Sequence, residues 1–247
     1  MLYEVLHMHP VLIVAAVVPA AVLLFFIYRA DRLEKEPTKL LLLLLGLGLV
    51  STGLAAFAER LGEGILDYFL REDSLTHAIL LYFVVVAGAE EGFKYLLLKK
   101  ATWRSPHFNC QFDGVVYAVF VSLGFALWEN LGYVAFYGLA TAVVRALTAV
   151  PGHACFGVFM GAWYGQAKRR ELSGDVAGSA TDRRLALFIP ILLHGTYDFV
   201  ATLPSDNLIW VFVVFVLAMF IAALRKVRKL SRTDDYMDKP PQDPMQP

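Results

Sequence analysis

Two adjacent glutamates, Glu90 and Glu91, with Lys94 one helical turn later, lie inside an apolar run from Leu80 to Leu98 (LLYFVVVAGAEEGFKYLLL). A carboxylate at bilayer depth costs roughly 2.5 kcal/mol or more, so two in succession mark a functional site. Later apolar stretches carry further polar sets: Glu129 and Asn130 within FALWEN, Arg145 and His153, and His194 with Asp198 within HGTYD. Residues four apart share a helix face, so Asp198 can fix the tautomer of His194 or join it in binding a metal or water. Glu90 and Lys94 are also four apart. The spacing therefore predicts that the ammonium neutralises one carboxylate and leaves its neighbour available, since one lysine is not expected to pair two buried acids.

Glutamates with two histidines suffice for peptide hydrolysis. A glutamate can activate water while histidines hold it, stabilise the oxyanion, or ligate a zinc ion that does so. The chain has no HExxH, no GxSG-type serine and no GxGD, which argues against zincin, rhomboid-like and presenilin-like sites. Each polar residue also has a structural reading. His153 alone fits an interhelical hydrogen bond, Glu129-Asn130 a packing contact near the outer surface, and Arg145 a snorkelling side chain or an ion pair. Taken together on consecutive segments, the set points to one water-containing cavity.

The elements that must position these groups are membrane helices. Hydrophobic residues make up 58% of the 247, charged residues only 18%, and the mean hydropathy is +0.57. These values exclude a soluble globular domain and specify an all-α, polytopic helical bundle. With about 20 apolar residues per crossing, seven segments are expected: His9–Tyr28, Leu40–Ala58, His77–Leu98, Phe112–Tyr137, Thr141–Ala167, Leu185–Leu203 and Leu208–Leu224. At about 1.5 Å per residue, Glu90 lies ~13 Å from Lys99 and His194 ~15 Å from Arg184, compatible with one level near the bilayer middle. Of the 22 basic residues, all but Arg60, Arg71, Lys94 and Arg145 fall in alternate connections or the C-terminal stretch. The positive-inside rule then puts the N-terminus outside and the C-terminus in the cytosol. No cleaved signal peptide is expected, so the first segment stays as an anchor.

Residues 1–230 form one expected domain, and 231–247 have the composition of a disordered cytosolic tail. Glu59 to Asp73 reads as a short amphipathic helix on the external surface, either connecting or acting as a lid. Small residues at Gly46, Gly48, Ser51, Thr52 and Gly53, and the four-residue repeat Gly157, Gly161, Gly165, predict close helix contacts. Pro151 and Gly152 should loosen the helix just before His153. Cys110 in a loop and Cys155 in a segment support neither a disulfide framework nor a cysteine metal cage. No internal repeat is evident, which disfavours transporters built from two related halves.

In order and separation, these motifs resemble the PrsW family of intramembrane proteases, within the CAAX prenyl endopeptidase/Abi superfamily. EEGFK at Glu90–Lys94 is similar to the family's EExxK, FALWEN at Phe125–Asn130 to FxxxEN, and HGTYD at His194–Asp198 to HxxxD, with His153 as the intervening membrane histidine. The CAAX enzymes' EExxxR and FxxxH are not matched. The resemblance covers about Tyr82 to Val200 and implies a membrane protease. By analogy Glu90 is the water-activating base, assisted by Glu91; His153, His194 and Asp198 hold water or a zinc ion; and Lys94, Glu129 and Asn130 give support. It also implies a membrane-anchored protein substrate, such as an anti-sigma factor in a signalling cascade, in the cytoplasmic membrane. The partners are then that substrate and the bilayer, not nucleic acid. A proton- or cation-coupled transporter or channel using the same buried residues is the competing reading, and a non-catalytic scaffold a third.

Overall fold

The computed structural model describes residues 2–202 and 208–237, and among them the regular structure is helical throughout. After a short α1 (Leu2–Leu6) come α2 (Pro10–Ala30), α3 (Thr38–Phe69), α4 (Leu75–Thr102), α5 (Asp113–Leu147), α6 (Ala149–Leu172), α7 (Val176–Thr202) and α8 (Leu208–Thr233). Taking Asp113–Leu172 as one rod, six helices among the described residues are long and apolar enough to cross a membrane. At 1.5 Å per residue a straight 60-residue helix would be ~90 Å long, three times the hydrocarbon thickness. The chain breaks instead. Gly138 adopts φ 79°, ψ −163°, open only to glycine without strain, and Thr148 leaves the helical region at φ −124°, ψ −73°. The α5 and α6 arms are then antiparallel, as the two expected segments require.

Glycines set that pairing. A Cβ on Gly161 would lie 2.3 Å from the Gly114 carbonyl oxygen, and one on Gly165 2.1 Å from that of Gln111. The α6 stripe thus lets two backbones touch, which maximises dispersion contact where lipid supplies no hydrophobic driving force. On α3 the small residues divide. Gly48, Ser51 and Thr52 are buried against α5, a Cβ at Gly48 meeting Val121 O at 2.1 Å, whereas Gly46 and Gly53 face open space. The resulting core centres on the fully buried stretch Val115–Val121 of α5, flanked by Leu44, Phe156 and Met160.

Two expectations are corrected, and one segment carries a feature that its sequence did not announce. The amphipathic surface helix from Glu59 does not exist as a separate element, because α3 runs unbroken to Phe69 and carries Glu59 on the same face as Thr52 and Ala56. The third segment contains a π-helical stretch, Leu80–Val86, with Ala87 N–H donating to Tyr82 O. Seen from the C-terminus, α8 continues past Ser231 to Thr233, and residues 234–237 are docked: Asp234 accepts from Phe112 N–H at 3.0 Å and Met237 N–H donates to Asn109 O at 2.7 Å. The remainder of the expected tail, and Leu203 at the end of the sixth expected segment, lie outside the described residues.

Gly161→Ala is expected to destabilise the detergent-solubilised protein by about 1–3 kcal/mol through overpacking, whereas Gly46→Ala, with nothing near its Cβ, should be neutral or slightly stabilising. Thermal unfolding of both variants checks the pairing.

Candidate active site

The polar residues of four helices meet at one point. From α4, Lys94 is fully buried and donates to Glu91 Oε1 at 2.7 Å and to Glu90 Oε2 at 3.1 Å. The expectation that one lysine would serve only one acid is therefore overturned. Glu91 and Glu90 lie three and four residues before it, and a long flexible ammonium with three donors reaches both neighbouring rows of the helix. Its third polar contact is His153 Nδ1 on α6, at 3.2 Å. Beneath the ammonium lies the Phe125 ring of α5, 3.7 Å from Nζ to centroid, a cation–π contact within the FALWEN motif.

Both imidazoles are oriented by carboxylates. His153 Nε2 pairs with Glu129 Oε2 at 3.0 Å, which turns the Nδ1 lone pair toward Lys94. Asp198 lies 3.3 Å from His194 Nε2, one turn along α7, while His194 Nδ1 faces Glu91 Oε1 at 3.0 Å and Glu90 Oε2 at 3.8 Å. Pro190, which cannot donate a backbone hydrogen bond, precedes His194 by one turn on α7. Phe156 stacks on the His194 ring at 4.7 Å. Glu129 is also held by Arg145 at 2.7 Å; Arg145 in turn donates to Asn130 at 3.0 Å, and Asn130 to Ala16 O on α2 at 2.8 Å. Arg145 therefore takes the ion-pair option, and Glu129-Asn130 belongs to the site rather than to an outer cap.

Glu90 and Glu91 differ in what they face. Glu91 is wholly enclosed, with Oε2 lacking any hydrogen-bond partner. Glu90 opens onto two adjoining cavities. One, of about 330 Å³, is bordered by Glu129, His153, His194 and Asp198; the other, of about 360 Å³, runs between α3 and α5 past Thr52, Trp128 and Phe136. Glu59 of α3 borders both, as does Tyr133 of α5, and neither was singled out from the sequence as part of the site. The signal for Glu59 was its place seven residues after Thr52, on the same helical face.

Glu90, Glu91, His153 and His194 each offer one ligand atom within 4.8 Å of the others. Asp198, expected among the metal ligands, falls outside this quartet because it is taken up by the far nitrogen of His194. Two carboxylates and two imidazoles are a donor set zinc accepts. The orphaned Glu91 Oε2 and the excess of Glu90, Glu91, Glu129 and Asp198 over Lys94 and Arg145 add a demand for positive charge. Lys94 Nζ already contacts three of the four groups, so an ion bound there requires the ammonium to withdraw.

A polytopic helical bundle with a buried carboxylate–histidine cluster opening onto an internal cleft has the groups that an intramembrane hydrolase needs. The profile of the PrsW family intramembrane metalloproteases matches residues 36–224, and the chain belongs to that family. It is similar to Protease PrsW of Halalkalibacterium halodurans, 33% identical over 228 residues, covering 90% of this chain and 98% of the relative. The Bacillus subtilis Protease PrsW is 33% identical over 219 residues, 88% and 94% of the two chains, and that of Clostridioides difficile 31% over 226 residues, 88% and 90%. No solved structure matches. The protein is therefore a multi-pass intramembrane peptidase, and the transporter reading finds no support among these relatives.

Arg145→Gln is expected to cost about 1–2 kcal/mol by leaving the part-buried Glu129 without its guanidinium, and adding Glu129→Gln should recover part of that loss. Thermal unfolding of the single and double variants measures the coupling.

Proposed function

We propose that Glu90 is the water-activating base of peptide-bond hydrolysis in a membrane-anchored protein substrate. The observation that carries this reading is the division of labour in the glutamate pair: Glu90 borders both cavities, whereas Glu91 is sealed against Lys94 and His194. A general base must reach water and substrate, and of the adjacent pair Glu90 is the one at the cavity. Glu91 then holds Lys94 and His194 in place. Asp198 and Glu129 orient the two imidazoles, and withdrawal of Lys94 frees His153 Nδ1 to hold the catalytic water.

Glu91, His153 and His194 would hold a zinc ion, with Glu90 beside them left free as the base; the ion when bound acidifies water and polarises the scissile carbonyl. The protein's own groups supply the rest. Glu90 accepts the proton of the attacking water and passes it to the leaving amine. An extended peptide enters by the cleft between α3 and α5, where Phe136 and Tyr137 are exposed at the bilayer-facing rim. The distribution of basic loops supports a cytoplasmic-membrane enzyme with its N-terminus outside and its C-terminus in the cytosol. A single-pass anti-sigma factor, cut to start a signalling cascade, is the substrate class this placement favours.

Glu90→Gln should reduce cleavage of single-pass membrane substrates in liposomes by about 10²–10⁴-fold with an unchanged melting temperature. Retained cleavage would remove Glu90 from the role of base. Cleavage abolished by a chelator and restored by added zinc is expected if Glu91, His153 and His194 bind metal; chelator-resistant turnover would leave His153 holding water directly.

A further inference from the structure

A second acidic cluster lies at the opposite end of the bundle from the α3–α4 connection, where the α2–α3 link, the α4–α5 loop and the end of α8 converge. Half of the buried acids of the described residues have a basic partner. Glu90 and Glu91 have Lys94, and Asp182 has Arg170 at 3.0 Å. The exceptions are Asp31, Glu36 and Asp113, and they are neighbours. Glu36 is 3% exposed, with both carboxylate oxygens buried and unpartnered. It faces Asp31, Asp113 and Tyr117, whose hydroxyl donates elsewhere, to His107 O at 2.9 Å. Asp31 Oδ2 is likewise unpartnered. The nearby cations are committed: Lys35 donates to the Tyr28 and Asp31 carbonyls, and Arg169 pairs with Asp235.

Backbone groups hold Asp113 and the adjoining Asp234 ready. Asn109 and Cys110 N–H donate to Asp113 Oδ2 at 3.0 and 2.7 Å, and Phe112 N–H donates to Asp234 Oδ1 at 3.0 Å. One oxygen of each is thereby fixed and the other left over. Cys110, Asp113 and Asp234 each offer a ligand atom within 4.8 Å of the others. Burying several carboxylates together without a cation is strongly unfavourable. A bound dication removes that cost, and a thiolate among carboxylates favours zinc over magnesium or calcium.

We propose that Cys110, Asp113 and Asp234 bind a divalent transition-metal ion, zinc by its donor chemistry, that clamps the C-terminal segment to the bundle and offsets the charge of the neighbouring Glu36. The segment is already in register for this, since residues 109–110 pair with 236–237 through the Cys110–Tyr236 bridge and the Met237–Asn109 hydrogen bond. The site is separate from the Glu90 cluster and contains the sulfur that cluster lacks. It is not a cysteine cage, which is why counting cysteines in the sequence gave no hint of it.

Cobalt distinguishes the two sites, because only thiolate ligation gives a sulfur-to-cobalt charge-transfer band in the near ultraviolet. Full-length protein in detergent, titrated with cobalt, should show that band, and Cys110→Ser and Asp113→Asn should lose it. Zinc at a hundredfold excess over its Kd should raise the melting temperature of the wild type by roughly 5 °C or more, and the Cys110→Ser variant should not respond. A band that persists in Cys110→Ser, or folded wild type that takes up cobalt without the band, overturns the proposal. So does a melting temperature that ignores both metals but rises on acidification, the behaviour of acids sharing protons.

Discussion

The buried ammonium of Lys94 is the interaction on which the rest of the site depends. Two glutamates at bilayer depth are tolerable only if their charge is met within hydrogen-bond reach, and Lys94 meets both while also contacting His153. One side chain thereby joins α4 to α6, and through Phe125 to α5. Glu91 extends the same network to His194 on α7. Four helices are locked in register by charges that would be prohibitive singly.

That network needs a scaffold in which backbones approach closely. Glycine against glycine between α5 and α6, and Gly48 against α5, bring the helices near enough for short polar contacts to form across them. The π-helical stretch before Glu90 belongs to the same geometry. Widened turns of this kind recur at functional sites because they alter which side chains share a face. The cleft between α3 and α5 remains open beside Glu90, so close packing on one side of the site coexists with an accessible face on the other.

Charge compensation is handled differently at the two ends of the molecule. Around Glu90 the acids are met by Lys94, Arg145 and two imidazoles, an arrangement that seals Glu91 and leaves Glu90 at the cavity. At the α4–α5 loop the acids face one another and the neighbouring lysine and arginine point to carbonyls and to Asp235. Outside the membrane span, burial pushes Asp31 up to about 6 and Glu36 up to about 7, a measure of how poorly that pocket tolerates their charge.

Much of this was legible in the sequence. Apolar runs of about 20 residues give membrane helices because an unsatisfied peptide group in lipid is too costly for anything else. Charged residues in such runs give the site, because nothing but function or pairing retains them. Glu90, Glu91, Lys94, Glu129, His153, His194 and Asp198 could all be picked out on that ground. Their separate tasks could not. Which glutamate faces water, that Lys94 serves both, that Asp198 is taken by one ring nitrogen and that Glu59 reaches the cavity from an uninterrupted α3 are matters of rotation and reach. Those depend on how helices distant in sequence pack. Sequence sets the periodicity and cost of each residue within its own helix; only tertiary contact decides which neighbour meets that cost.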